Sequence, residues 1–160
     1  MVLFRIRFIT ESDLISDAIR LVTFSEWSHV EIITDEGTYI GAHADGGIQE
    51  RPADYCKPTR ERRYAIPCTD AQLAAIMASA RKDIGVPYDF LDIGGMFLHD
   101  RGLHSKSREI CSEWVFQKVW DSGIMMLNCM RDFSHLITPE MLHLCPLLIG
   151  RCTYSFPEVT

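Results

Sequence analysis

The chain opens on strict alternation. Val2, Phe4, Ile6 and Phe8 fall to one side and Leu3, Arg5 and Arg7 to the other, the period-two pattern of a half-buried strand over 2–9. Thr10, Glu11, Ser12 and Asp13 then supply N-cap candidates, and Leu14, Ile15, Ala18, Ile19 and Val22 recur at helical spacing to about residue 23. Further strands are predicted over 28–34, 38–43, 48–51 and 62–67, with Pro52 and Pro58 bracketing the loop before the last of them. Thr69 and Gln72 have the spacing of a capping box. Leu73, Ile76, Met77, Ala80 and Ile84 form the apolar stripe of the helix it opens, which Gly85 and Pro87 stop.

Residues 88–99 read as a short helix followed by a loop through 106, with Gly94 and Gly95 inside the apolar run. A helix carrying Cys111 follows. Ser107 is its N-cap candidate, Cys111, Trp114, Val115, Lys118 and Val119 keep helical spacing, and Gly123 ends it after about residue 122. Thr138 as N-cap and Pro139 at the first position open a last short helix, and 147–156 reads as a final strand or a tail. Strands gathered in the first half and helices in the second make an α+β pattern: an antiparallel sheet with a helix packed on it. At 160 residues without repeats or linkers, residues 1–160 are expected to form a single domain.

Composition narrows the function classes. Hydrophobic content of 47% and charged content of 24% are ordinary for a globular protein. A formal charge of −6 disfavours general nucleic-acid binding. The basic clusters Lys57/Arg60/Arg62/Arg63 and Arg101/His104/Lys106/Arg108 lack interleaved stacking aromatics, so both read as solvated surface. Arginines interrupt the apolar start of the chain and no small-residue cleavage site follows, unlike a signal peptide. No apolar run approaches transmembrane length. A cytoplasmic protein with free thiols at Cys56, Cys68, Cys111, Cys129, Cys145 and Cys152 is therefore expected.

One of these thiols has the company a nucleophile needs. The first turn of a helix offers unpaired N–H groups and the positive end of the macrodipole, and both favour a thiolate at Cys111. A base is required, and something to orient it. His29 heads a strand on which His29, Glu31 and Ile33 share one face. Asp35, Glu36 and Gly37 fit a three-residue hairpin loop in which glycine takes the left-handed position. In that register Thr34 faces Thr38 and Ile33 faces Tyr39, so His29 opposes His43 on the same face. His29 would then serve as general base and later acid, with His43 holding its tautomer. An imidazole orients less strongly than a carboxylate, so Glu31, Asp45 and Glu50 are rivals for that role. The Cys111 N–H is the candidate oxyanion donor, with the Tyr88 hydroxyl as a second.

Three segments carry a resemblance: Trp27-Ser28-His29-Val30-Glu31-Ile32, Gly85-Val86-Pro87-Tyr88-Asp89 and Ile110-Cys111-Ser112-Glu113-Trp114-Val115. Together they resemble the circularly permuted NlpC-type papain-like superfamily, in particular its YiiX-like branch, related to lecithin:retinol acyltransferase. The resemblance covers roughly residues 25–120. It implies a nucleophilic cysteine at the start of a helix packed on an antiparallel sheet, with the histidine strand placed earlier in the chain by the permutation. It also implies a third polar residue, His, Glu or Asn, on the strand after the histidine, and His43 stands at that position. Trp114 stands where the family commonly has leucine, a change expected to matter to packing. The implied substrates are small peptides, peptidoglycan fragments or acyl-lipids.

The expected function is a cysteine hydrolase that cleaves an amide or ester bond through an acyl-enzyme on Cys111. The alternatives are an acyltransferase on the same fold and a non-catalytic binding module that keeps the scaffold. For each residue there is a plainer assignment: Cys111 as a small buried hydrophobe, His29 as a satisfied structural histidine, His43 as a hairpin residue, Tyr88 as a rim aromatic. No cofactor is expected. Zinc at His135, His143, Cys129 and Cys145 is disfavoured, because there is no C-x-x-C pair and the spacing matches no strong zinc pattern.

Overall fold

The structure is a computed structural model, and it describes residues 1–43, 45–87, 111–124 and 137–145. Among the described residues five strands are present: β1 (Val2–Thr10), β2 (His29–Ile33), β3 (Tyr39–His43), β4 (Gly47–Arg51) and β5 (Arg60–Cys68). They form one antiparallel sheet in the order β4-β3-β2-β1-β5. The described helices are α1 (Leu14–Thr23), α2 (Asp70–Lys82), α3 (Cys111–Asp121) and α4 (Pro139–His143). The fold is α+β, as the sequence pattern predicts.

The sheet has one oily face. Phe4, Ile6 and Phe8 of β1, Val30 and Ile32 of β2, Ile40 and Ala42 of β3, Ile48 of β4 and Tyr64 and Ile66 of β5 are all buried in one cluster. Ile76, Met77 and Ala80 of α2 and Trp114, Val115, Phe116 and Val119 of α3 close over it. Each large side chain removed from water there contributes about 1.5–3 kcal/mol. α3 lies over β2 and β3, α2 packs beside it and against β1. The Trp114 indole N–H donates to the Asp83 carboxylate at 3.0 Å, and Lys118 pairs with the same carboxylate, locking the end of α2 to α3.

The local signals act where they were read. Asp13 caps α1 by accepting from the Ser16 N–H, and the Thr69/Gln72 capping box is closed in both directions. Thr138 accepts from the Met141 N–H at the start of α4. In the β2–β3 turn Gly37 has φ +82°, and Thr34 N–H donates to the Thr38 carbonyl at 2.9 Å. Ile33 pairs with Tyr39 and Ile32 with Ile40, the register the turn predicts.

Two elements depart from the plain pattern. β1 is half-buried over its first residues, where Leu3 is 44% exposed, but farther on Arg7 is 1% exposed and Ile9 fully covered, with Glu31 and Tyr39 packed on the Arg7 guanidinium. On α1 the helical periodicity is real but does not mark an inward face. Leu14 is 88% and Leu21 71% exposed, while Ser16 and Ile19 are the positions that turn inward. The expected helix and loop over 88–106, the Ser107 cap and the segment 147–156 lie outside the described residues.

Candidate active site

The polar side chains of the site, Arg7, His29, Glu31 and His43, stand on the sheet face opposite the oily one, whereas Cys111 belongs to the core cluster under α3. Arg7 of β1 pairs directly with Glu31 of β2, and Ile9 with His29. Strand alternation puts Arg7, His29 and Glu31 on a common face. That face is dry at its centre: Glu31 is fully buried, His43 is 7% exposed and the His29 side chain 13%.

Glu31 is the hub. Its Oε2 accepts two hydrogen bonds from Arg7, 2.9 Å from Nε and 2.6 Å from Nη2, and its Oε1 accepts from the Tyr55 hydroxyl at 2.6 Å. The Arg7 guanidinium also lies over the Tyr39 ring, 3.5 Å from its centroid, a cation–π contact strengthened by desolvation. The same Oε1 stands 3.5 Å from Nε2 of His29 and 3.5 Å from Nε2 of His43. Neither imidazole nitrogen makes an aligned hydrogen bond. At that distance and angle the contacts are those of charges held close rather than of directed hydrogen bonds. The two imidazole rings have centroids 5.0 Å apart, as the turn-based register anticipates. The paired ladder itself stops at Ile32, so it is their side chains that converge.

Cys111, at the first position of α3, is 5% exposed and in hydrogen-bonding contact with His29. Burial alone would lower the His29 pKa. The hydrogen bond to Cys111 and then the contact with Glu31 oppose that and hold it up at about 10. Burial would likewise raise Glu31, but His29 first and then Arg7 and Tyr55 hold it down at about 2. His43 is pushed the other way, down to about 3, by burial and by the neighbouring His29 charge. The geometry therefore favours an imidazolium at His29 against a carboxylate at Glu31, beside a neutral His43. Burial and the Glu31 charge raise the Tyr55 hydroxyl well above its ordinary range, which keeps it a donor.

The other sequence candidates sit elsewhere. Asp45 pairs with Arg51, and Glu50 accepts from the Thr38 hydroxyl. Glu31 is the rival for the orienting role that reaches His29. Tyr88 lies outside the described residues, as do Cys129 and His135. His143 bonds the Tyr64 hydroxyl at 2.9 Å and packs on Phe8 and Trp27, a structural setting, and Cys145 is buried in the core. Cys56, Cys68 and Cys111 are free thiols. A cavity of about 580 Å³ beside α1, lined by Thr10, Asp17, Arg20, Phe24 and Thr59, contains none of the site residues. We assign it no chemistry.

Sequence reasoning missed Arg7 and Tyr55. Arg7 carried a usable signal, an arginine inside an apolar strand with a glutamate inside another. Tyr55 carried none, because it reaches Glu31 from the loop after β4.

No family model matches the chain, and no curated protein matches it either. Among solved structures it is similar to the metalloprotein YiiX from Escherichia coli O157:H7 (DUF1105). The TM-score is 0.56 and the identity 21%, over 78% of this chain and 67% of that one. The likeness is one of fold. No described helix is long and apolar enough to cross a membrane.

Proposed function

We propose that this chain is a cysteine hydrolase with a permuted papain-like arrangement, attacking an amide or ester carbonyl through Cys111. The observation that carries the reading is the contact between Cys111 and a buried His29 whose far side faces an anchored carboxylate. A helix-start thiol without such company is more often a small core residue. Here it has a base, and the base has an orienting group fixed by Arg7 and Tyr55.

In the proposed reaction the Cys111 proton already resides on His29 as a thiolate–imidazolium pair, and the thiolate sulfur attacks the carbonyl carbon. The oxyanion of the tetrahedral intermediate is received by the Cys111 N–H, one of the unpaired amides of a helix first turn. His29 then returns the proton to the leaving amine or alcohol, giving an acyl-enzyme. Water, deprotonated by His29, attacks that thioester and releases the acid and the free thiol. Glu31 stabilises the imidazolium at each step. Peptide, peptidoglycan-type and acyl-lipid carbonyls all fit this chemistry. An amine or alcohol acceptor in place of water would make the protein an acyltransferase.

Alkylation of Cys111 by iodoacetamide across pH 5–9 tests the reading. Wild-type protein should react rapidly on the acid side of neutrality, His29→Ala only as an ordinary thiol does, and Cys111→Ala not at that site. With a p-nitrophenyl ester, mass spectrometry should find the acyl group on Cys111. An identical alkylation profile in wild type and His29→Ala would sink the proposal.

A further inference from the structure

The two buried imidazole nitrogens without aligned partners suggest a second use of the same face. We propose that Nε2 of His29, Nε2 of His43 and Oε1 of Glu31 form a binding site for a divalent transition-metal ion, with Zn²⁺ the ion that fits best.

The first support is distance. The three donor atoms lie within 4.8 Å of one another, and both imidazole nitrogens are 3.5 Å from the shared carboxylate oxygen. Ligands at bond lengths of about 2.0–2.1 Å around a tetrahedral ion are separated by about 3.4 Å. Two of the three edges therefore already have the required length, and the third, between the imidazole nitrogens, is no longer than 4.8 Å. The second support is satisfaction. An ion would supply the partner that both nitrogens lack.

The third support is the surroundings of the carboxylate. Arg7 occupies Oε2 and the Tyr55 hydroxyl one lone pair of Oε1, leaving the other lone pair for an ion. Such outer hydrogen bonds orient a ligating carboxylate. Arg7 also brings a positive charge close to a cation, which argues for an ion that draws its affinity from imidazole donors. Two nitrogens and one oxygen select zinc, or iron(II) and cobalt(II) after it, over Mg²⁺ and Ca²⁺, which take oxygen ligands. The three ligands come from adjacent strands of one sheet, so little has to be ordered on binding. Gly41 belongs to the same design. A Cβ there would stand 3.0 Å from Glu31 Cγ and 3.1 Å from His29 Nε2, within the space the ligands use.

This inference does not rest on thiol catalysis, and its test separates the two. Metal-stripped full-length protein is titrated with Zn²⁺ against a chromogenic chelator, and with Co²⁺ while the visible d–d bands are recorded. One ion per chain is expected, with Co²⁺ bands of a four- or five-coordinate site. His43→Asn should weaken binding by at least about a hundredfold, and Tyr55→Phe, which removes an outer hydrogen bond, by about tenfold. Cys111→Ala should bind as wild type does while losing thiol chemistry. Circular dichroism checks the fold of each variant, and His43→Gln serves if His43→Asn does not fold. Binding unaltered by both His43 variants would place the ion elsewhere on the chain and overturn the proposal. So would stoichiometry below one at micromolar Zn²⁺, or loss of binding in Cys111→Ala.

Discussion

Arg7 and Glu31 face each other across the β1–β2 ladder, both essentially without solvent contact, and join through two hydrogen bonds onto one carboxylate oxygen. This pair fixes the hub around which His29, His43 and Tyr55 collect. Taking two charges out of water costs several kcal/mol per ion, so the pair need not stabilise the fold relative to apolar residues of like volume. Its position gives it another use: it holds an ionised carboxylate beside His29.

Breaking the pair on one side should therefore be worse than removing it. Arg7→Met leaves Glu31 charged and buried, and is expected to cost about 3–5 kcal/mol in urea unfolding. Arg7→Met combined with Glu31→Leu should be more stable than Arg7→Met alone. If the double variant is the less stable of the two, the ion pair is a net stabiliser and the desolvation argument fails here.

The two candidates for orienting His29 can be told apart. Glu31 bears a full charge and lies 3.5 Å from His29 Nε2, whereas burial and the His29 charge favour a neutral His43. Glu31→Gln should lower kcat/KM on an activated ester by about 10²–10⁴. His43→Asn should lower it by less than about tenfold. Equal losses would mean that His43 does more for His29 than its charge state allows.

Gly41 is a steric prediction. Its replacement by alanine requires Glu31 Cγ or the His29 ring to yield by a few tenths of an ångström. A cost of about 1–3 kcal/mol is expected from overpacking, together with slower Cys111 alkylation at neutral pH. Wild-type alkylation in Gly41→Ala would show that the ring moves aside without consequence.

Asp83 gives a pH dependence away from the site. Burial would raise its pKa, but Lys118 and then the Trp114 indole N–H outweigh that and depress it. Its contribution to stability is therefore complete above the unfolded carboxylate pKa of about 3.9 and is lost as pH falls through the lower folded value. Asp83→Asn should be less stable than wild type at pH 7, and the gap should close on acidification below about pH 4. A gap constant from pH 7 to pH 2.5 in thermal melts would contradict the assignment.

Much of the fold is legible because its signals are local. Asp13, Thr69 and Thr138 cap helices through their own following amides. Gly37 fixes a hairpin register within a few residues of itself, and that register was enough to bring His29 beside His43. The candidate site was legible in the same measure: Cys111, His29 and the flanking His43 follow from a helix start and a turn. Glu31 could be named only as one of several acids, because choosing it needs the β1–β2 pairing that buries Arg7 against it. Which side of α1 turns inward was not legible, for a related reason. Helical spacing of Leu14, Ile15 and Ala18 records amphipathicity, but which side meets the sheet depends on how the helix is carried between β1 and β2.

The sequence by itself determined the elements, their caps, the β2–β3 register and the candidacy of Cys111 and His29. Those features depend on interactions within a few residues, where chain connectivity leaves few geometries. Only the tertiary structure decided that Arg7 is buried and that Tyr55 returns from a loop to Glu31. It also decided that one carboxylate oxygen faces two imidazoles. Two of these contacts, Arg7–Glu31 and Tyr55–Glu31, join residues 24 apart, and the third needs side chains of two paired strands to converge on one oxygen. Their partners are selected by strand order and by the low dielectric of the assembled face, and neither is written in any local stretch of chain.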